Sequence, residues 1–265
     1  MGIDLDDFIL CADDFGMNHQ ISAGILALVE AHRIHAVSVM TESPVLPSYA
    51  AALRPHPVQI GLHFNLTQCF SPDGGKKPYA LRRLLYAPIL LPTTRLDLAQ
   101  RLDAQLTQFE DHFGRMPDFV DGHEHVHLLP AVRNIFLGAL ARRYAGGTER
   151  PWIRQVQSDI RNTDRPFKSA ILNGLNLGFR HACSQHGFET NRRFAGIYSL
   201  TPAGDYPQQM TRWLKNIRPG LLMMCHPAKG HDPTDSIAAA REAEFDALMD
   251  PQFAALLATA KGHRE

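Results

Sequence analysis

The segment Val120-Asp121-Gly122-His123-Glu124-His125-Val126-His127 carries three histidines at alternate positions behind an aspartate. Alternate residues of an extended strand point the same way. A strand here would set Asp121, His123, His125 and His127 on one face, and converging imidazoles suit metal binding or proton transfer. Other segments carry comparable groups. Asp13-Asp14 is a pair of carboxylates, His63 sits in a largely apolar stretch, Arg154 follows Trp152-Ile153, and His226 follows Leu221-Leu222-Met223-Met224-Cys225. A catalytic metal usually has three protein ligands and an open position, and one carboxylate with two imidazoles is a suitable set. A second carboxylate beside it can act as general base, and His226 can act as general acid to a leaving amine. With 14 histidines in 265 residues, a chance polar run explains any one of these groups but explains the set poorly.

The groups work together only if the fold gathers them. Phe8 to Ala12, Ala36 to Met40 and Gln59 to Leu66 read as strands, separated by helices over Asn18 to Ala31 and Pro47 to Leu53. This alternation predicts a parallel α/β sheet or barrel. Helices follow over Leu96 to Phe113, Pro130 to Tyr144, Phe167 to His186, Ser236 to Leu248 and Gln252 to Ala260. Strands are expected over Asp118 to His127, Trp152 to Val156 and Gly220 to Cys225. Ser71 to Lys77 reads as a loop of the kind that covers sites, and Tyr79 to Thr94 as irregular. In parallel α/β folds the carboxyl ends of the strands lie on one side, where sites are built. Asp13, Asp14, His63, the histidine segment, Arg154 and His226 all fall at or near such ends. No linker or internal repeat divides the chain, so residues 1–265 are expected to form one domain.

Bulk composition excludes several classes. Lys+Arg and Asp+Glu balance at 27 each, which gives no electrostatic case for nucleic acid or an anionic membrane. No apolar run reaches the length of a membrane span. Cys11, Cys69, Cys183 and Cys225 show no CxxC spacing, which fits reduced thiols and a cytoplasmic location. There is no GxGxxG, Walker A or GxSxG motif. Cys225 and His226 are neighbours that would point to opposite strand faces, so they make no dyad.

Ala12-Asp13-Asp14-Phe15-Gly16, Gly61-Leu62-His63-Phe64-Asn65-Leu66-Thr67, Asp121-Gly122-His123-Glu124-His125-Val126-His127 and His226-Pro227 together resemble the YdjC-like carbohydrate deacetylases, the family that includes chitooligosaccharide deacetylase. Arg241 to Leu248 is similar to that family's C-terminal helix, and the resemblance covers nearly the whole chain. It implies a single-domain distorted (β/α) barrel of polysaccharide-deacetylase type, one divalent metal ion, and removal of an N-acetyl group from an amino sugar. Carried over by position, it implies Asp14, His63 and His123 as metal ligands, Asp13 as general base and His226 as acid. It implies substrate or supporting roles for His125 and His127. Arg154, from its strand-end position, is a candidate to help an oxyanion or the substrate. Magnesium and zinc both stay open, although two imidazoles sit oddly with magnesium. The expected partner is a small carbohydrate; a homodimer is left open. The residues alone also admit another metallohydrolase, an amidohydrolase or phosphoesterase, and a non-catalytic metal-stabilised protein.

Overall fold

A computed structural model describes residues 5, 7–70, 77–86, 91–147, 149–201, 205–215 and 217–262, with the side chains of 86 and 258–262 outside that description. Seven strands, β1 (Ile9–Phe15), β2 (Ala36–Val39), β3 (Gln59–Phe64), β4 (Phe119–Gly122), β5 (Trp152–Ile153), β6 (Arg193–Ala195) and β7 (Leu221–Cys225), form one sheet in the order β5-β4-β3-β2-β1-β7-β6. Every pairing is parallel. The sheet curls, and its two edges meet through isolated bridges between Ile153 and Thr190 and between Ser158 and Phe194. The result is the expected distorted barrel, with a loosely stitched seam.

Apart from Gln59 and Arg193, the first residues of β3 and β6, the strands are buried along their length, as near-continuous apolar runs require of a sheet covered by helices. The helices are α1 (His19–Glu30), α2 (Leu46–Leu53), α3 (Leu81–Tyr86), α4 (Pro92–Phe113), α5 (Pro130–Arg143), α6 (Pro166–Leu175), α7 (Phe179–Gln185), α8 (Tyr206–Leu214), α9 (Ala238–Met249) and α10 (Pro251–Gly262). Asn18 starts α1 by accepting from the Ile21 N–H at 2.8 Å, and Ile21, Ile25, Leu28 and Val29 form its buried stripe. In α4, Leu98, Leu102, Leu106, Phe109 and Phe113 are buried at helical spacing, and left-handed Gly114 closes the helix.

Several sequence expectations change. The largest change is at the histidines. β4 stops at Gly122, and His123–Leu128 is a tight helical turn in which Glu124 and His125 are left-handed, with φ of 52° and 57°. His123, His125 and His127 therefore do not share a strand face. Gly122 leaves room for the turn, since a Cβ there would stand 2.9 Å from His127 Nδ1. β1 runs on through Asp13 and Asp14 rather than ending before them. Leu81–Tyr86 is helical rather than irregular, and α4 begins at Pro92. The single helix expected over Phe167 to His186 is two, broken at left-handed Gly178. β6 and α8 went unpredicted. Residues 71–76 of the expected covering loop lie outside the described residues.

Gly61 in β3 shows how tightly the sheet packs beneath the site. A Cβ there would stand 2.4 Å from the Phe119 ring, which stacks on Trp152 at 4.6 Å between centroids. Gly61→Ala is expected to lower unfolding free energy by about 1–3 kcal/mol, the usual range for overpacking. Urea denaturation measures this, and Phe119→Leu in the same chain should recover part of the loss. Unchanged stability in Gly61→Ala would show that the ring yields at no cost.

Candidate active site

The carboxyl ends of the strands open into a cavity of about 550 Å³ lined by Asp13, Asp14, His63, His123, His125 and His226 among others. Its floor is the end of β1. The β1–β2 register shifts between Ala12 and Phe15, and Asp14 has φ of 71°. A bulge of this kind re-aims side chains. Here it gives two adjacent carboxylates different neighbours, although each is only 1% exposed.

Asp14 is the point of convergence. Its Oδ1 lies 3.3 Å from His63 Nε2 and 3.1 Å from His123 Nδ1. Its Oδ2 accepts from Arg241 Nη2 at 2.7 Å. Burial alone would raise the Asp14 carboxyl, but Arg241 and His123 outweigh it and hold it well below the usual carboxylate range. Asp14, His63 and His123 offer one ligand atom each, all within 4.8 Å of one another. His63 is oriented from behind: its Nδ1 lies 2.6 Å from Asp121 Oδ1, which also accepts from Ser38 Oγ at 2.7 Å. That arrangement turns Nε2 to the cavity, as carboxylate–histidine pairs do behind metal sites. Burial disfavours a charged His63 ring, but Asp121, Asp14 and Asp13 prevail and raise it to about 10. The two-nitrogen, one-oxygen donor set, with one imidazole pre-aimed by a carboxylate, fits a divalent ion.

Asp13 is gripped by a different cation. Arg154 Nη1 and Nη2 donate to its two oxygens at 2.6 and 2.7 Å, a bidentate fork. Arg154 Nη2 also lies 2.6 Å from Asp121 Oδ2, an ion contact without hydrogen-bond alignment. Asp13, His63 and Asp121 form a second convergent group, but this guanidinium already supplies their countercharge. Arg154 is fully buried beneath the floor. This position withdraws it from an oxyanion and gives it to Asp13 and Asp121.

The remaining histidines separate. His127 is fully buried and its Nε2 lies 2.8 Å from the Arg154 carbonyl oxygen, so it anchors the backbone that carries Arg154. Burial lowers its pKa to about 4. His125 lines the cavity with its ring edge-on to Phe194, and burial keeps it well below the ordinary histidine range. His226 lines the cavity too. Its Nδ1 is buried without a protein partner, and burial lowers its pKa to about 4 against the pull of Asp14 and Asp13.

Three participants escaped the sequence reading. Arg241 bonds Asp14 and, through Nε, Asp235 at 2.6 Å. Glu244 accepts from the His226 backbone N–H and from the Tyr198 hydroxyl, and burial raises its carboxyl to about 7. Ser38 supports Asp121. A signal existed for the first two: Ala238, Arg241, Glu244 and Leu248 share the buried stripe of α9, where charge is out of place unless paired.

Replacing Arg154 tests the floor. Arg154→Met should cost about 3–5 kcal/mol in urea unfolding near neutral pH, because two buried carboxylates lose their countercharge. Arg154 is the main group holding the Asp121 carboxyl below the usual carboxylate range, so in its absence that carboxyl takes up a proton more readily and the deficit relative to the parent chain should shrink as pH falls. A deficit that is absent, or that grows on acidification, would remove Arg154 from this role.

The sequence profile of the YdjC-like protein family matches residues 7–259. A carbohydrate deacetylase of Mus musculus is 32% identical over 207 residues, covering 71% of this chain and 65% of that protein. A chitooligosaccharide deacetylase of an Enterobacter species is 32% identical over 155 residues, covering 57% of this chain and 60% of the other. The chain thus spans less than two thirds of the length of these relatives. A crystal structure from Enterococcus faecalis, of a protein provisionally assigned to cellobiose-phosphate cleavage, superposes with a TM-score of 0.64 at 17% identity. That match takes in 96% of this chain and 94% of the other, and it shows a shared fold. The matched profile spans all the strands and every residue of the cavity floor, and this chain belongs to the YdjC-like protein family.

Proposed function

We propose that the chain is a divalent-metal-dependent hydrolase that removes the N-acetyl group from a small N-acetylated amino sugar or its glycoside. One observation carries the reading: His63 Nε2 and His123 Nδ1 converge on Asp14 Oδ1 beside a second carboxylate, Asp13, at the floor of an open cavity. The names of the relatives, carbohydrate deacetylase and chitooligosaccharide deacetylase, support the same reading.

Asp14, His63 and His123 would hold the ion. Bound there, it would polarise the acetyl carbonyl and lower the pKa of an attacking water. Two imidazoles favour zinc or a similar transition ion over magnesium. Asp13 takes the water proton. The Arg154 fork fixes its direction; Oδ1 also accepts from Cys11 Sγ, and Oδ2 keeps a lone pair free. His226 serves the leaving nitrogen. Its ring is neutral near pH 7 because of burial, so it must gain a proton before it gives one. Glu244 holds the His226 backbone and leaves the ring free to face the cavity.

Among the described residues no helix is long and apolar enough to cross a membrane. We read the location as cytoplasmic from the four cysteines, which show no CxxC spacing, with Cys11, Cys183 and Cys225 held as buried thiols.

Acetate release from N-acetylglucosamine and its short oligomers, with a chelator-stripped control, tests the reaction. Phosphate release from sugar phosphates without acetate release would overturn it. Asp13→Asn should keep its metal and lose about 10²–10⁴ in rate, the usual worth of a general base. Near-normal turnover at equal metal content would take Asp13 out of the mechanism.

Metal affinity should also depend on pH through His63. Without metal, this ring stays protonated up to about pH 10. A ligating Nε2 must be free of that proton, so binding should release about one proton and tighten as pH rises through neutrality. Calorimetry in buffers of different ionisation enthalpy measures the release. Asp121→Asn should reduce it, because Asp121 is the main group raising the ring. Proton release near zero in the parent chain would exclude His63 as a ligand.

A further inference from the structure

The floor of the cavity is ionic, whereas its walls carry two apolar stripes beside Glu124 and Lys168. On α6, Phe167, Ile171 and Leu175 stand at positions i, i+4 and i+8, one face of a helix, and all three line the cavity. On α3, Leu81 and Leu85 stand at i and i+4 and line it as well. Such stripes normally pack against a core. Here Phe167 is 79% exposed, Ile171 46% and Leu85 38%. Contiguous exposed apolar surface around a site marks a binding surface.

A plain oligosaccharide would gain little from this rim. Its hydroxyls would lie against the apolar side chains of these two stripes, which offer no hydrogen bond, at a desolvation cost. Both tryptophans, the broadest platforms for a sugar face, are committed elsewhere. Trp152 stacks on Phe119, and Trp213 donates to the Asn162 carbonyl and meets Tyr198 and Tyr206 edge-on. An apolar group, in contrast, would cover the rim while a polar head reached the floor.

We infer that the substrate is amphiphilic: an N-acetyl amino sugar whose glycosidic oxygen carries an apolar aglycone, with the sugar at the Asp14–His63–His123 floor and the aglycone between the α3 and α6 stripes. The inference rests on the deacetylase reading, under which the scissile acyl group is acetyl. The apolar portion then belongs to the other end of the sugar.

The test compares acetate release by the metal-loaded chain from methyl and octyl N-acetyl-β-glucosaminide and from diacetylchitobiose, all below micelle concentration. The octyl glycoside should exceed the methyl glycoside by about a hundredfold in kcat/KM, mainly through KM, as partial burial of several methylenes requires. Phe167→Ser and Ile171→Ser should bring that ratio down to a few-fold. Equal values for the methyl and octyl glycosides, or a diacetylchitobiose value above the octyl one, would overturn the inference and leave the deacetylase reading standing.

Calorimetric binding of the same glycosides to metal-free chain separates the two ideas. Tighter octyl binding that Phe167→Ser abolishes, with no acetate released from anything, would sustain the apolar subsite and sink the deacetylase reading. Light scattering checks the other occupant, a second copy of the chain. A dimer that Phe167→Ser dissociates, with the octyl-to-methyl ratio unchanged, would make the rim a subunit contact and overturn the proposal.

Discussion

Two adjacent carboxylates buried at the end of one strand are the costly element of this structure. Taking a carboxylate out of water is unfavourable by several kcal/mol after relaxation, on the order expected for a buried ion. Asp13 and Asp14 are tolerated because each meets its own guanidinium, Arg154 for one and Arg241 for the other. The rest of the site follows from this pairing. Arg154 must arrive at the end of β5 and Arg241 on α9, so both ends of the chain are committed to the floor of one cavity.

The pairing also divides labour between neighbours in sequence. The bulge in β1 points Asp14 at two imidazoles and Asp13 at a bidentate fork. Asp121 links the two halves, since it orients His63 with one oxygen and meets Arg154 with the other. His127 completes the support by holding the Arg154 carbonyl. Side chains that do not line the cavity thereby fix how the carboxylate above them is presented.

The strand-end residues were legible because apolar runs of four or five residues announce buried parallel strands, and polar residues directly after them stand out. Asp14, His63, His123 and His226 all reach the cavity. The alternation of histidines misled, because alternate spacing is equally compatible with a turn, and two left-handed residues leave no mark when neither is glycine. β6 escaped because three residues set no period, and its pairing with β7 is long-range information. Arg241 and Glu244 escaped because a charged residue on a helix reads as solvent-facing until its buried partners are known. Arg154 is legible as a strand-end residue, but its spacing says nothing of the depth to which Asp13 and Asp121 draw it.

The ion pair between Asp14 and Arg241 joins residues 227 apart in the chain. During synthesis the N-terminal strands emerge long before α9 exists. Until α9 arrives, Asp14 has two imidazoles beside it and no guanidinium behind it. Contacts of this separation are slow to form, because a long loop must close before they repay its entropy. The Asp14–Arg241 contact therefore cannot form until nearly the whole chain is present. A chain ending before Arg241 would hold the residues of all seven strands and still leave Asp14 without its guanidinium.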